Sequence, residues 1–73
     1  MKDRVNLYKN SIVIILGSKY DIFEFEARKM IRDYDFNDVL KSCNYIALHD
    51  DPEDWADVIY NWANKTYEEL LEM

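Results

Sequence analysis

The sequence predicts a small α+β domain in which a short three-stranded antiparallel meander precedes two or three helices. Three observations support this fold class: a run of β-branched residues, a segment of alternating residues, and a long amphipathic pattern with a strong start signal. The predicted elements are strands at about 4–8, 11–16 and 20–25 and helices at about 26–34, 36–48 and 52–71.

The three strands are predicted from residue type and from alternation along the chain. Residues 4–8 alternate in the way that is typical of a short edge strand. Residues 11–16 form a continuous apolar run rich in β-branched side chains, which favours a central strand. In a strand at 20–25, Phe23 and Phe25 lie together on one face.

The first helix is predicted at 26–34 because its apolar residues then share one face: Ala27, Met30, Ile31 and Tyr34. The competing interpretation is a single helix that begins at Ser18. That helix would leave Ile22 and Phe25 well off the apolar stripe, so a strand followed by a helix is preferred.

The second helix is predicted at 36–48. Asp35 and Asp38 have the spacing of a capping box at a helix start. Apolar side chains then repeat at helical spacing: Phe36, Val39, Leu40, Cys43, Ile46 and Ala47. The alternative is a strand at 44–48, which would give a βαβα order with a parallel pair of strands.

The last helix has the clearest start signal in the chain. The carboxylate of Asp51 is suited to cap the free N–H groups of a first turn, and Pro52 is favoured at the first helical position. Asp54 follows three residues after Asp51, as in a capping box. One stripe of this helix is predicted to face a core: Trp55, Val58, Ile59, Trp62, Ala63 and Leu70.

Charge is distributed unevenly along the chain. The formal net charge is −6; residues 49–73 carry eight acids and only Lys65 as a base (−7), whereas residues 1–48 carry seven acids and eight bases (+1). This asymmetry argues against direct nucleic-acid binding, which requires Lys and Arg to neutralise phosphates. It favours a protein partner with a basic surface.

Length and cysteine content restrict the class of protein. Seventy-three residues make one small acidic domain, 1–73, and the single Cys43 excludes an internal disulfide and a multi-cysteine zinc site. No apolar run is long enough to span a membrane, and no secretory signal pattern is present. We therefore expect a cytoplasmic protein, located in the host cytoplasm if it is viral.

The sequence contains no convincing catalytic, cofactor or metal site. His49 and Asp50 resemble the metal-binding pair of HD-type phosphohydrolases, but such a site needs further histidines and the chain has one. Cys43 on an apolar stripe is typical of packing, and a lone Gly17 lacks the spacing of a phosphate-binding loop. The clustered acids before Trp55 lack the spacing and glycine of an EF-hand. The sequence thus predicts that the protein is not an enzyme.

The predicted function is that of a non-enzymatic protein-binding module or inhibitor. Its acidic C-terminal helix is expected to dock a basic protein surface, such as that of a nucleic-acid-binding protein or nuclease, as a nucleic-acid mimic. This prediction requires the acids to be free of Arg28, Arg32 and Lys41. The predicted contacts are Asp50, Asp51, Glu53, Asp54, Asp57, Glu68, Glu69 and Glu72.

In size, composition and localised acidity the chain resembles phage-encoded inhibitors of host defence nucleases, the anti-CRISPR and anti-restriction proteins. The resemblance implies a phage protein whose carboxylates stand where phosphates would lie on a nuclease. The alternative is a small structural subunit of a homo-oligomer, such as a homodimer, in which the acidity serves only solubility.

Overall fold

A computed structural model describes residues 2–72 of the chain, excluding the side chains of Lys2, Tyr67 and residues 69–72. The described residues form helices and the connections between them. The elements are α1 (Lys2–Tyr20), α2 (Glu24–Asp33), α3 (Phe36–Ser42), a short 3-10 helix (Ile46–His49) and α4 (Pro52–Glu72). The protein is therefore all-helical, and the predicted α+β fold class is wrong.

The predicted strands at 4–8 and 11–16 both belong to α1. Side chains four residues apart lie on one face of a helix, and here Tyr8, Ile12 and Leu16 form such a buried row. Helix α1 packs against both α4 and α2, so its apolar side chains are buried on more than one side. This double burial explains why a β-branched run is helical, since β propensity depends strongly on context.

The predicted strand at 20–25 is also wrong, because the chain turns there from α1 into α2. Asp21 adopts a left-handed conformation with φ of 57°, which a short polar side chain tolerates better than most. The N–H of Ile22 then donates to the Leu16 carbonyl oxygen at 3.3 Å, satisfying a carbonyl near the end of α1. Phe23 and Phe25 lie on this turn and the first residues of α2, with 83% and 82% of their surface exposed.

The helix predicted at 26–34 is confirmed as α2, which begins two residues earlier and buries Ala27, Met30 and Ile31. The helix predicted at 36–48 is correct only as far as Ser42, where α3 ends. Asn44 and Tyr45 follow with positive φ, so the helical path is interrupted before the 3-10 helix. The alternative strand at 44–48 is likewise wrong.

The helix predicted at 52–71 is confirmed as α4. As predicted, Asp51 caps it: its Oδ1 accepts the Glu53 N–H at 2.9 Å. Ala56, Ile59 and Ala63 face the core.

An aromatic cluster joins α1, α3 and α4. The ring of the fully buried Phe36 stacks on Tyr8, with 6.1 Å between centroids, and meets Trp55 edge-on at 5.2 Å. Aromatic pairs at such separations contribute beyond the area that they bury. The short α3 is thereby held against the two long helices.

The packing of α1 gives a test with a matched control on the same helix. Leu16→Ala should lower the free energy of unfolding by about 2–5 kcal/mol, because a fully buried leucine is replaced by a cavity. Ile14→Ala should have a much smaller effect, since Ile14 is 69% exposed. Urea denaturation followed by tryptophan fluorescence measures both, and equal losses would contradict this packing.

Candidate protein-docking surface

Most of the predicted contact residues lie at the beginning of α4. Asp50, Asp51, Glu53 and Asp54 are exposed there, and Asp57 is half-buried one turn further on. Glu68 is exposed in the last part of α4. Glu69 and Glu72 belong to α4, but their side chains lie outside the described part of the structure.

The connection into α4 is fixed by hydrogen bonds at Asp50. Its backbone carbonyl oxygen accepts the Tyr8 hydroxyl at 2.8 Å, which ties the connection to α1. Its carboxylate Oδ2 accepts the Trp55 Nε1–H at 3.3 Å. Together with the cap made by Asp51, these bonds give two of the exposed carboxylates defined positions.

The negative charge of this region is reflected in the pKa of Tyr8. Burial of the hydroxyl is the largest cause, and the nearby carboxylates of Asp50, Asp51 and Asp54 add to it, raising the pKa of Tyr8 to about 12. At neutral pH the Tyr8 hydroxyl is therefore protonated and remains a donor to Asp50.

Glu53 and Asp57 are paired within the molecule, contrary to the predicted open surface. Lys19 Nζ lies 3.1 Å from Glu53 Oε1 and 3.0 Å from Asp57 Oδ1, and the Tyr20 hydroxyl also donates to Asp57. The hydrogen bond from Tyr20, followed by that from Lys19, lowers the pKa of the Asp57 carboxyl. The hydrogen bond that Lys19 donates to Asp57 is the largest cause of a raised pKa of the Lys19 ammonium, and the one to Glu53 is the next.

Three basic residues that could have neutralised the predicted contacts, Arg28, Arg32 and Lys41, do not pair with them in the described part of the structure. Among the described side chains, no ion pair within 4 Å joins Arg28, Arg32 or Lys41 to the predicted contacts, and Arg28 pairs with Glu24 at 3.0 Å. In the same part of the structure no cation pairs with the carboxylates of Asp50, Asp51 and Asp54. These three residues form the acidic end of α4.

Two exposed apolar side chains adjoin the acidic end. Val58 is 44% exposed and Trp62 is 37% exposed, although the apolar stripe predicted both to face the core. Asp54, Val58 and Trp62 are spaced by four residues, so they form one row along α4. Trp62 is held in place edge-on against Tyr34, with 5.3 Å between ring centroids.

Sequence reasoning missed the residues of α1 that organise this surface, namely Tyr8, Lys19 and Tyr20. Interpreting 4–8 and 20–25 as strands separated them from α4. A usable signal was present, because Tyr8, Ile12, Leu16 and Tyr20 recur every four residues, the spacing of one helix face.

The described side chains offer little for metal or thiol chemistry. No group of three or more His, Cys, Asp or Glu among them is arranged to hold a metal ion. Cys43 donates to the Leu40 carbonyl oxygen of the preceding turn at 3.6 Å, and His49 is exposed. None of the described helices is long and apolar enough to cross a membrane.

No family model, curated protein or solved structure matches the chain. The fold and this surface define it as a small helical bundle whose α4 presents an acidic end beside exposed apolar side chains.

The Lys19 bridge between α1 and α4 is testable with two lysines that each lie in the last turn of a helix. Lys19→Gln should lower the melting temperature at neutral pH more than Lys41→Gln, because only Lys19 holds two carboxylates of another helix.

The sign of the pH dependence follows from Asp57. Its pKa is lowered on folding, so its contribution to stability is present above the unfolded-state pKa and is lost as the pH falls through the folded-state value. At about pH 2, below the usual range of carboxyl groups, the difference between the two variants should disappear. Thermal melts by circular dichroism at both pH values measure this, and a difference that persists in acid would refute the bridge.

Proposed function

We propose that the protein is a non-enzymatic protein-binding module that docks a basic surface of a partner protein through the first half of α4. The observation that carries the proposal is the row of Asp54, Val58 and Trp62, which starts within the acidic end. It places uncompensated charge and exposed apolar surface side by side on one rigid helix.

The acidic end supports the encounter with the partner. Carboxylates that lack a cation nearby project a negative field, which attracts a basic surface and accelerates association. Asp50 and Asp51 are held by hydrogen bonds, so less side-chain freedom is lost when they meet the partner.

The apolar part of the row supports the stability of the complex. Exposed charges contribute little net affinity, whereas tryptophan is enriched among the residues that dominate binding energy. Trp62 already packs against Tyr34, so its ring is positioned before binding.

A nucleic-acid-binding protein or nuclease is the partner class that fits this arrangement best. Such proteins present Lys and Arg to phosphates. Four carboxylates lie within the five consecutive residues 50–54, and the three that are not paired with Lys19 offer a comparable density of negative charge. In this form the proposal is an inhibitor that mimics nucleic acid.

The proposal is tested with two triple variants of equal net charge. The variant Asp50→Asn, Asp51→Asn, Asp54→Asn removes the charges of the acidic end while keeping an oxygen that can accept the same hydrogen bonds. The control Asp21→Asn, Glu26→Gln, Asp38→Asn removes three exposed charges outside α4.

Partners are captured on the immobilised wild-type chain, identified by mass spectrometry, and their affinity for each variant is then measured. We expect a basic partner that duplex DNA displaces. Its affinity should fall at least about tenfold for the acidic-end variant and less than about threefold for the control. Equal affinity for the two variants would rule out docking through the acidic end.

A second candidate function, a small subunit of a homo-oligomer, is favoured by Phe23 and Phe25. Two phenylalanines with more than four-fifths of their surface exposed are unusual in a monomer and typical of an interface. In this alternative, a second copy of this chain would cover Phe23 and Phe25, and the acidity would serve solubility.

Sedimentation equilibrium distinguishes this alternative from the first. If the phenylalanines form an interface, the wild type should dimerise at about 100 μM. Phe23→Ser with Phe25→Ser should then be monomeric, while Leu7→Ser, at an exposed apolar residue of α1, should still dimerise. A strictly monomeric wild type would exclude the homo-oligomer alternative.

A further inference from the structure

A groove of about 360 Å³ lies between α1, α2 and the beginning of α3. Its lining includes three basic side chains, Lys9 from α1 and Arg28 and Arg32 from α2. Two buried apolar residues, Ile31 and Phe36, also contribute to it. The groove therefore combines an apolar lining with a cluster of cations.

One of these cations has a fixed position. Arg28 and Arg32 are four residues apart and thus neighbours on one face of α2. The Arg28 guanidinium is anchored, since it donates to Glu24 Oε1 at 3.1 Å and to Asn10 Oδ1 at 3.0 Å. The position of this cation is consequently set before any ligand enters.

The other two cations lack a carboxylate partner in the described part of the structure, where no ion pair within 4 Å involves Lys9 or Arg32. Lys9 is half-buried, and this burial lowers the pKa of its ammonium group. An anion in the groove would relieve the cost of holding that charge.

The remaining polar lining residues are Asn6, Asn37 and Asp35. The two amides can donate hydrogen bonds to an oxyanion. The ionised carboxylate of Asp35 can accept hydrogen bonds but cannot donate them. It therefore suits a ligand that carries a hydroxyl group beside the anionic group. Its lining residues carry three cations and one carboxylate, a formal charge of +2, and the ion pair of Arg28 with Glu24 reduces the net charge around the groove to +1.

We propose that this groove binds a phosphate group, held between the Arg32 guanidinium and the Lys9 ammonium. Guanidinium groups match the geometry of phosphate with paired hydrogen bonds. The ligand class is a small phosphorylated molecule, and Asp35 favours one that carries a hydroxyl group. The proposal is independent of docking through α4, because the groove is formed by α1, α2, Asp35 and α3.

The binding test is a titration of the full chain with inorganic phosphate up to about 20 mM, replacing chloride at constant ionic strength and followed by amide chemical shifts in NMR. We expect saturable shifts concentrated at residues 6–10 and 28–37. A parallel titration with glycerol phosphate identifies the source of the group. Tighter binding of glycerol phosphate assigns a hydroxyl-bearing ester, and equal binding assigns free phosphate.

Two matched pairs of variants test the residues. Arg32→Gln should weaken phosphate binding about tenfold or more, since a charged hydrogen-bond donor is lost. Arg4→Gln, at an exposed arginine of α1 that is not part of the groove lining, should change it less than about twofold. In the second pair, Lys9→Gln should weaken phosphate binding more than the control Lys41→Gln. Circular dichroism confirms that each variant folds.

The proposal is overturned if phosphate produces no saturable shift at about 20 mM, a concentration well above a millimolar dissociation constant. It is equally overturned if Arg4→Gln and Lys41→Gln weaken binding as much as their counterparts in the groove. In that case the attraction would be diffuse electrostatics and not a site.

Discussion

The fold depends on the burial of α1 between α2 and α4. Ile12 and Leu16 are fully buried there, and burying a side chain of this size contributes about 1.5–3 kcal/mol. Measured β propensities span only about 1 kcal/mol, so two-sided burial outweighs the local preference of residues 11–16 for a strand. Both proposed surfaces follow from this placement, because α1 forms part of the basic groove on its α2 side and supplies Lys19 to α4.

The contacts between α1 and α4 determine which of the acids remain available. The contacts follow the same order along α1 and along residues 50–60, from Tyr8 with Asp50, just before α4, to Tyr20 stacked on Tyr60 at 3.7 Å. Lys19 neutralises Glu53 and Asp57 within this contact, so the exposed charge is concentrated at the acidic end. The docking that we propose is thereby confined to a short length of α4, in contrast to the whole charged helix that the sequence predicts.

The sequence was sufficient where structure is encoded locally. The start of α4 follows from the carboxylate of Asp51 and from Pro52, which act within one turn. Helix α1 is different, because its state depends on burial against two helices distant in sequence, and residues 11–16 alone favour a strand. The predicted contact surface was affected in the same way. The sequence shows the acids, but Lys19, which pairs with Glu53 and Asp57, lies on the helix that was interpreted as strands. The basic groove was missed because strands at 4–8 and 11–16 do not bring Lys9 onto a helix that packs against Arg28 and Arg32.

The acidic end and the basic groove both lie beside the first half of α1. Tyr8 donates to the Asp50 carbonyl oxygen, and the next residue along α1, Lys9, lines the groove. Lys19 is also held by two carboxylates, whereas Lys9 pairs with none among the described residues. Helix α1 therefore contributes to both proposed surfaces as one rigid element.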